Sequence, residues 1–254
     1  MELDDVKYEV AVANRVLAEI GLATGVLASL GHASMRVPET PEHFVVKGRG
    51  YEVDILSEMR PEDMVVCDLE GYKVSGPQGT AQCNEVKMHS NIYKAYPAVQ
   101  SVVHVHPRYV VIMSLLVPHL RPVCQEGIQL VAEPLPMYPH VKTVQTDEEG
   151  VEVARLIGEH KAIILYGHGA TTTGGSLNES VMNMWQLEEQ ARMNWYAYSS
   201  AGPDYPSIPG DLVAEMRNRT PLGELPHFRE SRADVVNRPG AVYAFYAKQA
   251  ARGL

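Results

Sequence analysis

Apolar residues recur at Val6, Val10, Ala13, Leu17 and Ile20, in alternating steps of four and three. That spacing predicts an amphipathic helix, closed by Gly21. The pattern then shortens to strand-like runs at Leu30–Val37, Phe44–Lys47 and Met64–Cys67, separated by Pro38, Pro41 and Gly48 and ending in an Asp68–Gly71 turn. Short strands joined by tight turns predict antiparallel pairing and not βαβ units. Gly76–Cys83 reads as a small-residue loop. Asn84-Glu85 then opens a helix running to about Tyr96, with Asn or Cys at the cap and the acid in the first turn. The next stretch, Val99–Pro107, alternates strictly: Val99, Ser101, Val103 and Val105 point one way, Val102, His104 and His106 the other.

Farther along, a helical stretch follows Pro107 as far as Val117, and His119–Tyr138 reads as loops and short strands. Thr146-Asp147-Glu148-Glu149 is a capping box for a helix through Ile157, and Ala162–Tyr166 is an apolar run of the kind that forms a buried strand. Ser176-Leu177-Asn178-Glu179 is a second capping box. It opens a long helix marked by Val181, Met184, Glu188, Ala191, Trp195 and Tyr198. Proline and charge dominate from about residue 202, which predicts an irregular extension whose last piece, Ala241–Tyr246, returns to the body. No linker divides the chain, so residues 1–254 are expected to form one domain.

Composition narrows the function classes. The chain is 45% hydrophobic and 21% charged, with a formal net charge of -9 and no basic stripe, which argues against nucleic-acid or anionic-membrane partners. The acidic N-terminus lacks the pattern of a signal peptide, and the longest apolar run, near Val110–Val117, is too short to span a bilayer. The 3 cysteines are Cys67, Cys83 and Cys124. They form neither a disulfide framework nor a Cys-x-x-Cys pair, so a reduced, cytoplasmic protein is expected. A metal would therefore be held by histidine and carboxylate.

Such side chains are present at useful spacings. His104-x-His106 offers two imidazoles on one strand face, at the point where Pro107 ends the strand. Glu85 and His89, four apart, share a helix face. His168 stands between Gly167 and Gly169 just past an apolar strand, where the chain can turn sharply toward an open site.

The order Gly31-x-x-Ser34-x-Arg36, Asn84-Glu85, His89, His104-Val105-His106-Pro107, Gly167-His168-Gly169 and Glu188-x-x-Ala191 resembles the class II aldolase and adducin family, from about Leu17 to about Tyr198. The resemblance implies an α/β fold with three α/β/α layers around a mainly antiparallel sheet. It makes His104, His106 and His168 ligands of a divalent metal and Glu85 the general acid/base. It also implies a homotetramer with sites at subunit boundaries, where Tyr138, Tyr243 or Tyr246 completes the pocket as an acid. Imidazole ligation suits zinc, manganese, cobalt or iron.

Departures from the sugar-phosphate aldolases shape the expected chemistry. Those enzymes carry serines before the glutamate, whereas this chain has Gln82-Cys83-Asn84, and it has His32 where Asn is usual. A phosphate dianion needs hydroxyls, backbone donors and a cation, and that set is depleted. The variant Gly-His-x-Ser-x-Arg resembles the branch of hydroxylated aromatic and pyridine dicarboxylate decarboxylases. The expectation is a metal-dependent carbon–carbon lyase, a decarboxylase of a small unphosphorylated hydroxy-aromatic carboxylate. His32, Ser34, Arg36, Lys47 and His89 would contact the substrate. The alternatives are an aldolase, epimerase or dehydratase acting on a sugar or hydroxy-ketone, and an adducin-like interaction module with a vestigial site.

Overall fold

The computed structural model describes residues 1–228 and 240–254. Helix α1 (Leu3–Glu19) buries Val6, Val10, Ala13 and Leu17, the face set out by the apolar spacing. Among the described residues, nine strands form one sheet. They are β1 (His32–Arg36), β2 (His43–Arg49), β3 (Met64–Asp68), β4 (Lys73–Ser75), β5 (Ala81–Gln82), β6 (Ser101–Val105), β7 (Met137–Tyr138), β8 (Ala162–Leu165) and β9 (Gly169–Gly174). Their order is β4-β3-β2-β1-β6-β9-β8-β7, with β5 paired to β2. Every pairing is antiparallel except β7 with β8.

Helices cover both faces, so alternation along each strand sorts side chains between two cores. Val103 and Val105 face one core, shared with α1, α3 (Arg108–Leu116) and α6 (Leu177–Ala201). Val102 faces the other, shared with α2 (Val86–Ala95) and α5 (Asp147–Ile157). Both capping residues act as their spacing predicts: Thr146 Oγ1 accepts from Glu149 N, and Ser176 Oγ accepts from Glu179 N.

Several elements differ from the sequence reading. Helix α2 begins at Val86, so Glu85 is its N-cap residue and not a first-turn acid, and its carboxylate makes no capping bond. Strand β9 follows His168 directly; its Gly-Ala-Thr-Thr-Thr-Gly sequence has little apolar signal, yet all of it is buried between β6 and β8. The stretch leading to Tyr138 holds a short helix, α4 (Ile128–Val131), alongside β7. The C-terminal region is more regular than its prolines imply. It contains α7 (Gly210–Arg217) and α8 (Ala241–Ala250), and Tyr243 and Ala250 of α8 join the core that holds α1. Residues 229–239 of that extension lie outside the described residues.

The turn into β1 passes close to β6. Gly31 has φ +106°, and an added Cβ would lie 2.8 Å from the His104 carbonyl oxygen and 2.6 Å from Val105 Cγ1. Backbone conformation and contact both demand glycine there. Gly31→Ala is expected to lower unfolding free energy by about 2–4 kcal/mol, read from urea denaturation; an unchanged midpoint would contradict the close approach of β1 to β6.

Candidate metal centre and active site

Strand β6 lies near the middle of the sheet, and its register carries the site. His32 of β1 and Thr171 of β9 both pair with His104. His106 follows the last residue of β6, and His168 sits in the turn joining β8 to β9. That turn can pack against His106 because residue 169 is glycine: an added Cβ would stand 2.5 Å from the Val105 carbonyl oxygen. The three rings form a triangle, with centroids 5.1 Å apart for His104–His106, 5.2 Å for His104–His168 and 4.6 Å for His106–His168. His104 is fully buried, while His106 and His168 are half-buried and form the open side.

Glu85 closes this triangle. Its Oε2 is 3.0 Å from His104 Nε2, its Oε1 is 3.7 Å from His168 Nε2, and Oε1 accepts from Val144 N at 3.1 Å. One donor atom from each of Glu85, His104, His106 and His168 lies within 4.8 Å of all the others. Burial raises the Glu85 pKa, but His104, His32 and His168 outweigh it and hold the carboxyl below the ordinary carboxylate range. Burial, reinforced by neighbouring imidazoles, depresses His106 to about 3 and lowers His168, so both rings are neutral at pH 7.

These residues fit a divalent cation. Neutral imidazole and ionised carboxylate are the protonation states that coordinate metal. His104 Nδ1 lies 3.1 Å from the Thr171 hydroxyl, whose proton is directed at Met88 Sδ at 3.0 Å, an arrangement that suits a ring protonated on Nδ1. Nε2 is then a bare lone pair. Despite its closeness to Glu85 it has no hydrogen-bond partner among the described residues, an exceptional condition for a buried polar atom. Three imidazoles with one carboxylate alongside leave positions for a substrate, as catalytic sites do.

The Class II Aldolase and Adducin N-terminal domain family matches residues 8–195. The chain belongs to the class II aldolase and adducin family. A 3,4-dihydroxyphthalate decarboxylase of Terrabacter sp. (strain DBF63) is 31% identical over 84% of this chain and 89% of its own length. One of Arthrobacter keyseri is 29% identical, covering 82% and 84%. Among solved structures, an aldolase II superfamily protein from Pseudomonas syringae superposes with a TM-score of 0.78 at 20% identity, over 98% of this chain and 93% of that one. L-fuculose-1-phosphate aldolase from Thermus thermophilus gives 0.63 at 29% identity, over 80% and 100%.

Not every side chain anticipated from the family resemblance lines the site. His32 does: its Nε2 is 3.9 Å from Glu85 Oε2. His89 and Ser34 stand behind it, fully buried and bonded to each other, so neither offers a free donor to a ligand. Arg36, expected as a carboxylate clamp, instead donates from its guanidinium to three carbonyls: Pro41 at 2.6 Å, Tyr93 at 2.7 Å and Val99 at 3.3 Å. It ties the β1–β2 turn to α2 and to the entry of β6. Lys47 is fully buried and ion-paired with Asp54, which also faces Arg49 at 3.4 Å, so the charge expected there is already neutralised. Tyr138 packs under α5 against His140, and Tyr246 packs against Trp185. Neither these nor Tyr243 hydrogen-bonds Glu85 or the clustered histidines.

The supporting roles of three residues escape the sequence reading. Thr171 is hidden with β9. Tyr93 lies one helical turn after His89, and that spacing is its only signal. Glu188 falls within a core stripe, yet its carboxylate accepts from Tyr109 N at 3.1 Å and Val110 N at 3.0 Å, anchoring the start of α3 immediately behind His106-Pro107. Burial pushes its pKa up to about 7 against those two bonds.

The Arg36 geometry has a direct test. Arg36→Lys should cost about 2–4 kcal/mol of stability, because an ammonium cannot serve three divergent carbonyls. In the folded fraction KM should stay within about twofold, whereas a substrate clamp would raise it about tenfold or more.

Proposed function

We propose that this protein is a divalent-metal-dependent decarboxylase of a small, unphosphorylated hydroxy-aromatic carboxylate. The observation that carries the reading is the meeting of Glu85 with His104, His106 and His168, in a chain whose relatives are named for decarboxylating dihydroxyphthalate. At the two positions before Glu85 the serines of the sugar-phosphate aldolases are replaced by Cys83, which is buried, and Asn84, which is exposed.

His104, His106 and His168 would hold the cation, with zinc, manganese, cobalt and iron all compatible with these donors. When bound, it would supply a Lewis acid that draws negative charge toward the substrate's phenolic oxygen. Glu85, ionised at the outset, takes the phenolic proton. The bond between the ring and the carboxylate then breaks, its electron pair stays with the ring, and carbon dioxide leaves. Glu85 returns its proton to the vacated ring carbon, and solvent reprotonates the phenolate on release. Burial of Glu85 keeps water from competing for that proton.

An apolar surface beside His168 supports a subunit boundary at the site. Leu115, Val141 and Tyr166 are 50%, 68% and 43% exposed, and Leu115 and Val141 both approach Gly167. A homotetramer burying this patch is part of the reading, as is a tyrosine supplied across it. No helix among the described residues is long and apolar enough to cross a membrane. The free cysteines fit a reducing cytoplasm.

Incubation of zinc- or manganese-loaded protein with 3,4-dihydroxyphthalate and other ortho-hydroxy aromatic diacids should release carbon dioxide. Glu85→Gln is expected to lower kcat about 10²–10⁴-fold while retaining metal. His106→Ala should lose metal on dialysis, read by elemental analysis. Cleavage of a sugar phosphate or hydroxy-ketone into two carbonyl products, without carbon dioxide, would establish the aldolase alternative. A normally folded protein that retains no divalent metal would point to an interaction module.

A further inference from the structure

A line of polar groups runs from Glu85 into the α2 side of the sheet. His32 Nε2 stands 3.9 Å from Glu85 Oε2, and His32 Nδ1 is 2.7 Å from His89 Nε2. His89 Nδ1 is 2.7 Å from Ser34 Oγ, which is 2.7 Å from the Tyr93 hydroxyl. Strand β1 supplies His32 and Ser34, spaced by two; α2 supplies His89 and Tyr93, spaced by four. Each period brings its pair to one face. All four residues are buried, Tyr93 at 1% exposure and His32 at 3%.

Burial gives this chain a direction. The Ser34–Tyr93 contact is open to either donor, but a buried phenol proton needs an acceptor and Ser34 Oγ is its side-chain partner among the described residues, so the phenol is assigned as the donor. The serine proton has two acceptors, His89 Nδ1 at 2.7 Å and the Val102 carbonyl at 3.4 Å, and the shorter contact is the stronger. A neutral His89 that accepts at Nδ1 carries its proton on Nε2 and donates to His32 Nδ1. His32, accepting there, carries its own proton on Nε2, toward Glu85.

We infer that Tyr93, Ser34 and His89 lock His32 as a neutral Nε2–H donor aimed at the site, where it binds a carboxylate oxygen of the substrate. Tyr93, Ser34 and His89 are positioning residues; His32 makes the contact. The tautomer follows from the hydrogen bonds alone, whereas the carboxylate ligand rests on the proposed decarboxylase function. It supplies the anion recognition that Arg36 and Lys47, both already partnered, do not.

The same geometry argues against a second cation. His32, Cys83 and His89 bring donor atoms within 4.8 Å of one another. Two imidazole nitrogens bound tetrahedrally to one ion at ~2.1 Å each would stand about 3.4 Å apart. His32 Nδ1 and His89 Nε2 are 2.7 Å apart and share a proton instead.

Long-range proton–nitrogen correlation spectra of protein labelled with ¹⁵N-histidine test the lock without turnover. In the zinc-loaded protein, His32 and His89 should each appear as a single Nε2–H tautomer. Zinc titration should move His104, His106 and His168 and leave the tautomer of His32 unchanged. Ser34→Ala removes the donor to His89, so His32 should become a mixture of tautomers. A wild-type His32 protonated on Nδ1, zinc coordination at His32, or an unmixed Nε2–H tautomer in Ser34→Ala would each overturn the inference.

Salicylate, measured by calorimetry, tests the ligand. His32→Gln keeps an N–H at similar reach and should bind within about threefold of wild type, while His32→Leu should lose about tenfold or more. Equal binding by all three proteins would remove His32 from anion recognition. Carbon dioxide release together with an Nδ1–H His32 would sink this inference alone; the expected tautomer without carbon dioxide from any diacid would sink the decarboxylase reading and leave the tautomer lock standing.

Discussion

Glu85 is ionised at a position that is only 5% exposed, and the Val144 N–H that donates to it, with His32 Nε2 turned toward it, makes that possible. A buried carboxylate without such partners would take up a proton and lose its function as a base. The site around that charge depends on three segments distant in the chain arriving together: the end of β6, the β8–β9 turn and the start of β1. Glu85 itself comes from the residue at which α2 begins. A side chain at that position is not committed to the helix's own packing, and here its oxygens turn to the histidines and to Val144 N instead of to the helix.

Around that carboxylate, each histidine is defined by what lies behind it. His104 is backed by Thr171, which turns a lone pair inward; His32 is backed by His89, which turns a proton inward. Two rings whose centroids are only 5.4 Å apart thereby present opposite characters to the same space. One is suited to a cation and the other to an anion, which is the pairing that a chelating carboxylate substrate requires. Strand register places these supports: Thr171 and His32 are the two direct neighbours of His104 across the sheet.

Period-two and helical patterns carry much of the architecture. The β6 alternation, the α1 stripe and the two capping serine and threonine residues are legible because each is a local rule about exposure or end geometry. The His104-x-His106 pair is legible from its spacing, whereas His168 and the role of Glu85 come into view only through the family resemblance. Strand β9 is not legible, since burial by neighbours on both sides lets Gly and Thr fill a central strand without apolar residues. Arg36 and Lys47 mislead for a related reason. A cation in the sequence announces charge, but not whether carbonyls or an aspartate already surround it, and at these positions they do.

The cluster joins residues 85, 104, 106 and 168, so its extremes are separated by 168 − 85 = 83 positions of chain. An unfolded polypeptide retains only the His104-x-His106 pair. A cation bound by all of them would thus favour the folded ensemble by mass action, in proportion to the logarithm of its free concentration. Occupancy and heat resistance would rise and fall together, and chelators in a purification buffer would lower both the activity and the melting temperature of the same sample.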